Sequence, residues 1–142
     1  MLVAMTTLAF CGTSKADDRK PMDTQVVVQW DMTSPPGFTD PAAAKRRLDA
    51  YFSAEEVISD AGGDLYFEDG NDIGGGVFNV FVYSDRVGDT VARIIALDRA
   101  GKFPKGTKIG VAIYKDASRK DWAFRAAYPA DLKTFSLDSG RP

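Results

Sequence analysis

Three consecutive glycines, Gly74, Gly75 and Gly76, stand directly before a run in which side chains alternate in character, Val77 to Tyr83. Glycine alone reaches positive φ without steric cost, so the chain is expected to reverse here and enter a strand. A strand turns successive side chains to opposite faces. Phe78, Val80 and Val82 therefore share one side, and Asn79, Phe81 and Tyr83 share the other. A strand this rich in β-branched and aromatic residues belongs in the middle of a sheet. Leu65 to Glu68 reads as its hairpin partner, joined to it by a Gly70 to Gly76 turn.

The flanking segments supply the rest of one domain. Gln25 to Trp30 is a short β-branched strand, stopped by Ser34-Pro35-Pro36-Gly37. Asp40 then caps a helix with Pro41 at its first position, where the missing N–H costs nothing. Leu48, Tyr51, Phe52, Ile58 and Ala61 recur near helical spacing, and Gly62-Gly63 ends the segment. Ser53 and Glu56 form a capping-box pattern inside it, which predicts a break into two helices. Ser84 or Asp85 caps a further helix, with Val87, Val91, Ile94, Ile95 and Leu97 as its apolar side and Gly101 as its stop. Thr107 to Tyr114 is a fourth strand, and Trp122 to Tyr128 reads either as a fifth strand paired with it or as a helix.

Strand, helix, strand, strand, helix, strand, combined with right-handed crossovers, predicts an α+β fold: a ferredoxin-like βαββαβ sandwich with both helices on one face of an antiparallel sheet. Residues 24–132 form that domain, 17–23 a charged linker broken by Pro21, and 133–142 a tail. The opposite sheet face must then be solvated, covered by the C-terminal segment, or used to bind something. Gln25, Gln29 and Asn79 mark the polar side of the first and third strands, so Phe81 and Tyr83 are expected to stand on the open face, with Tyr114 beside them.

Residues 1–16 read as a signal peptide. Leu2 to Phe10 is an apolar run of nine residues, far short of the roughly 20 that a membrane-spanning helix needs. Ser14-Lys15-Ala16 fits a small-x-small cleavage site, although no basic residue precedes the run. Two alternatives stand beside periplasmic or secreted export. One is a lipoprotein anchored at Cys11 in Leu8-Ala9-Phe10-Cys11, and the other is a cytoplasmic extension. Cleavage after Ala16 leaves a chain without cysteine and without a membrane segment.

The chain contains no histidine, and Cys11 is its only cysteine. A Cys/His zinc site, a Ser-His-Asp triad and a Cys-His dyad are thereby excluded within the chain. Carboxylate catalysis needs an acid and a base held at fixed separation in a cleft, and a domain this small has little room for one. No enzyme activity, cofactor or metal is expected. An EF-hand reading of Asp69-Gly70-Asn71-Asp72-Ile73-Gly74 fails because Ile73 and Val80 fall at ligand positions, leaving only a looser set of Asp64, Glu68, Asp69 and Asp72. The glycines do not make a Walker loop, since the Lys-Ser/Thr pair is absent and a strand follows. Aromatics on the third strand have the rhythm of an RNA-binding sheet, but the carboxylates beside them repel phosphate, so no nucleic acid is expected.

Charge is unevenly spread. Five carboxylates and no basic residue lie between Asp60 and Asp72. Seven basic residues, Lys102, Lys105, Lys108, Lys115, Arg119, Lys120 and Arg125, face only Asp116 and Asp121 further on. Such polarity steers a charged partner. It equally protects the second and fourth strands as sheet edges. Read as DGxDxGGGxxNxFxY, the stretch through Gly70 and up to Tyr83 resembles small uncharacterised bacterial ferredoxin-like proteins, a resemblance that implies the fold and carries no catalytic residues. The expected function is an exported inhibitor or immunity-type protein that engages a protein partner through an acidic loop and the open face. The candidate contacts are Asp64, Glu68, Asp69, Asp72, Asn79, Phe81 and Tyr83. A small carboxylate-dependent hydrolase or lyase and a structural homodimer are the alternatives.

Overall fold

A computed structural model describes residues 23–32 and 40–138. The signal-peptide reading, Cys11 and the Pro35-Pro36 turn lie outside the described residues. Seven elements follow one another: β1 (Thr24–Asp31), α1 (Pro41–Ala61), β2 (Phe67–Gly74), β3 (Val77–Ser84), α2 (Val87–Arg99), β4 (Lys108–Tyr114) and β5 (Trp122–Tyr128). The sheet order is β2-β3-β1-β4-β5 and every neighbouring pair is antiparallel. This is an α+β fold with the ferredoxin-like arrangement, extended by β5 outside β4. Trp122 to Tyr128 is thus a strand, and β4 lies inside the sheet with β2 and β5 at its edges.

Alternation along the strands decides which side packs on the helices. Val26, Val28 and Trp30 of β1 lie opposite Val82, Val80 and Phe78 of β3. All six join Tyr51, Ala54 and Ile58 of α1 and Ile94 of α2 in one buried core. Trp30 sits at its centre, its ring 6.1 Å from Tyr51, 6.4 Å from Phe78 and 5.5 Å from Phe103. Its indole Nε1–H donates to Thr107 Oγ1 at 2.9 Å, so the one polar atom of the ring is satisfied in the core.

α1 does not break at Ser53 but runs unbroken from Pro41 to Ala61. Tyr51, Ala54 and Ile58 carry one buried stripe straight past that point, and Ser53 and Glu56 are exposed on the other side. Burial of the stripe outweighs a local capping preference. Asp40 does cap the helix, accepting the Ala42 N–H at 3.0 Å. At α2 the first helical residue follows Arg86, and the Ser84 hydroxyl accepts the Arg86 N–H while donating to the Leu65 carbonyl.

The acidic segment is not a loop. β2 extends to Gly74, and the reversal is confined to Gly75 and Gly76, with φ of +57° and +80°. Two central residues at positive φ match the right-handed twist of a hairpin. The outer backbone groups of β3 need partners, and an extended β2 provides them. The ladder absorbs the polar sequence by a register shift between Glu68 and Asn71, where the Glu68 carboxylate accepts the N–H of Gly70 and Gly70 takes φ +98°.

On the face away from the helices the C-terminal segment is not a free tail. Phe135 is buried over Gly110 and stands 5.3 Å from the Phe124 ring. Beside it, Gln29 donates to the Ser136 carbonyl at 2.8 Å and Asn79 donates to the Leu137 carbonyl at 3.0 Å. Gln29 also donates to Asn79 Oδ1 at 2.9 Å. The polar pair thus anchors a strap across the face over β3, β1 and β4.

Candidate functional site

Strand registers sort the helix-free face into rows. Asp72, Asn79, Gln29 and Lys108 form one row, and Phe81, Val27, Gly110 and Ala126 the next. The strap lies over these two rows where they meet β1 and β4. Beyond it the face is aromatic. Phe67 pairs with Tyr83 across β2 and β3, their rings stacked at 5.5 Å and 16°. At the other side Trp122 meets Phe124 edge to face at 4.9 Å. Tyr114, opposite Trp122 in the β4–β5 ladder, lies under the Arg119 guanidinium at 4.3 Å. Arg119 is in turn 3.4 Å from the Asp23 carboxylate.

Phe67 is 45% exposed and Trp122 is 41% exposed, while Phe81, Tyr83, Tyr114 and Phe124 are half-buried between them. Gln25 holds the middle, donating to the Tyr83 hydroxyl at 2.9 Å. Large aromatics left in water on a sheet face carry a hydration penalty that a partner would relieve. Their rings have few rotatable bonds, so little side-chain entropy is lost when they are covered.

The residues singled out from the sequence do not form one surface. Phe81 and Tyr83 lie on the aromatic rows. Asn79 is wholly buried, and its amide is used by Gln29 and the strap, so it cannot contact a partner. Asp72 faces the strap side in register with Asn79, and Asp64 stands exposed in the turn before β2. Asp69 occupies the bulge. Glu68, opposite Val82, belongs to the helix side instead. Residue alternation with one bulge scatters carboxylates that are close in sequence.

Phe67, Trp122 and Phe124 were not among the expected contacts. The alternation in WAFRAAY could have placed Trp122 and Phe124 on the face of Tyr114. Phe67 falls inside the expected strand Leu65 to Glu68, but alternation groups it with Leu65, which is buried.

On the helix side, a groove of about 530 Å³ between α1 and β2 is lined by Asp49, Phe52, Ser53, Glu55, Glu56, Ser59 and Glu68. Glu55 accepts from Asn71 Nδ2 through both oxygens, at 3.0 and 2.9 Å. Burial, and then a hydrogen bond with the Glu55 carboxyl, push the Glu68 pKa above the ordinary glutamate range. The folded state therefore holds this proton more tightly than the unfolded chain. The stabilisation is present in full below the ordinary glutamate pKa and is lost as pH rises through the raised folded value. Glu68→Gln keeps an acceptor for Gly70 and removes the ionisation. It should be more stable than the parent at neutral pH and lose that advantage in acid, read from urea midpoints between about pH 4 and about pH 8. A Glu68→Gln variant less stable than the parent at neutral pH would contradict this.

Among the described residues no group of three or more His, Cys, Asp or Glu is arranged to hold a metal ion. The chain matches no family model, no curated protein and no solved structure.

Proposed function

We propose that this is a small exported bacterial binding protein of inhibitor or immunity type, which holds a protein partner on the aromatic rows of its sheet. The observation that carries the reading is the exposure of Phe67 and Trp122 at the two sides of a half-buried aromatic surface that the strap leaves open. Arg119 and the carboxylates Asp64 and Asp69 give the domain a polar, charged surround, as a binding surface with an apolar centre requires. The lack of histidine, and of cysteine beyond Cys11, weighs against the commonest catalytic groups. Export is supported by the apolar run Leu2 to Phe10 with Ser14-Lys15-Ala16 behind it.

The test is capture from periplasmic extract, followed by affinity measurement on the captured protein with the parent and with Phe67→Ser/Trp122→Ser. Loss of two aromatic anchors is expected to weaken binding by at least about 30-fold. The melting temperature should fall only slightly, because neither ring belongs to the helix-side core and each substitution loses a single surface aromatic pair. Equal affinity for parent and variant would sink the reading.

A second reading, a carboxylate-dependent hydrolase or lyase, has one observation in its favour. Glu68 has a raised pKa beside Glu55 in a groove, as an acid catalyst needs. The groove is open along the helix and encloses little, which favours the binding reading over it.

A further inference from the structure

The two edges of the sheet are unlike each other. β2 carries features that discourage pairing with a foreign strand: a register shift between Glu68 and Asn71, glycines at 70 and 74, and the carboxylates of Asp69 and Asp72. β5, with the sequence WAFRAAY, carries a single charge, Arg125, and neither proline nor glycine, and its own register shift falls at its far end, between Ala126 and Tyr128. No strand lies beyond it among the described residues.

The free groups on that edge can be identified. The Lys115 N–H donates to the Asp121 carbonyl at 2.9 Å, which fixes the phase of the β4–β5 ladder. Hydrogen-bonded and non-hydrogen-bonded positions alternate in antiparallel pairs. Ala123 and Arg125 therefore turn their backbone groups toward Ile113 and Val111, and Trp122, Phe124 and Ala126 turn theirs outward. An outward row of this kind is a template for another strand.

We propose that β5 pairs antiparallel with the β5 of a second copy of this chain, about a two-fold axis at Ala123. An axis normal to the sheet keeps like faces together only if it passes through a residue, which leaves Ala123, Phe124 or Arg125 near the strand centre. Pairing about Arg125 sets two guanidinium groups directly opposite, which is repulsive. Pairing about Phe124 sets Arg125 opposite alanine. Pairing about Ala123 sets Arg125 opposite Asp121 of the second copy and Trp122 opposite Phe124 of the second copy. Symmetry makes each contact twice.

Charge and aromatic complementarity thus select one register. Arg125 has no ion pair among the described residues. Asp121 is exposed, and its bond to Lys115 at 2.9 Å leaves the carboxylate able to accept a second cation. Alanine at the axis suits the close approach of a non-hydrogen-bonded pair. The joined sheets would carry their two aromatic surfaces on the same side, but the pairing does not depend on the proposed partner.

The test uses the full chain in a Cys11→Ser background. Opposed Cα atoms at the axis would be about 4.5 Å apart, inside the roughly 4.4–6.8 Å range that a disulfide spans. Ala123→Cys should therefore oxidise to a linked dimer. Ala126→Cys should not, since its two copies lie far apart in this register. Sedimentation should give a dimer for the parent and a dissociation constant raised at least about tenfold by Arg125→Asp. Arg125→Asp combined with Asp121→Arg should restore it. A parent that stays monomeric, an Arg125→Asp variant that dimerises as tightly as the parent, or equal cross-linking at both cysteines would overturn the proposal. Because these readouts are mass and cross-linking, their failure would leave the partner-binding test untouched.

Discussion

Trp30→Ala is expected to lower the unfolding free energy by about 3–5 kcal/mol, a large part of the roughly 5–15 kcal/mol that holds a small domain. Trp30 is wholly buried on the helix side of β1, its ring packed against Tyr51 of α1, Phe78 of β3 and Phe103 in the loop after α2. Truncation leaves a cavity that three rings from different elements cannot all close. It also removes the Nε1–H donor to Thr107. Thr107 keeps its own bond to Asp98 at 2.7 Å, so the loop before β4 is not left wholly unpaired. Trp30→Phe retains most of the apolar contact and should cost less than half as much. Urea denaturation followed by near-UV circular dichroism checks both. A loss for Trp30→Ala below about 1 kcal/mol would mean that this cluster is not the centre of the core.

The second large effect is expected at Gly110. This glycine is not needed for its φ, which is ordinary; it is needed because a Cβ there would overlap the ring of Phe135. Gly110→Val should cost about 1–3 kcal/mol by forcing the ring off the sheet. With Phe135 displaced, the hydrogen bonds from Gln29 and Asn79 to the strap carbonyls would be lost or exposed to water. Exchange of the Gln29 and Asn79 side-chain amide protons, followed by NMR, should therefore accelerate while the amides of the helix-side core stay protected. The decisive control is a cycle. Once Phe135 is alanine, a side chain at position 110 has room, so the two losses should fail to add by about 0.5–3 kcal/mol. Additive losses would show that the strap does not rest on Gly110.

The fold was legible because each element carried its own signal. Val-rich β1, the alternation of β3, the Asp40–Pro41 helix start and the apolar spacing of α2 agree with one another and with a single topology. What was not legible depended on distant partners. Asn79 reads as an open-face polar residue, and its burial follows from a strap more than fifty residues away whose carbonyls need donors. Glu68, Asp69 and Asp72 read as one acidic loop, and a bulge turns them to different sides. Ser53 reads as a helix start, and the buried stripe through Ala54 overrides it. Of the aromatic surface, Phe81, Tyr83 and Tyr114 could be placed by period-two alternation alone. Phe67 could not, because alternation within Leu65 to Glu68 groups it with the apolar Leu65 rather than with an open face.

Site-specific photo-crosslinking tests the binding surface most directly. A photoreactive benzoylphenylalanine would replace Phe67 on the aromatic rows in one strain and Glu56 on the outer side of α1 in another, with the protein expressed in its own cells. The expected result is one adduct of defined mass from position 67, competed away by excess unlabelled protein, and none from position 56. No adduct from position 67, or the same adducts from both positions, would contradict the assignment of the aromatic face as the surface that holds a partner.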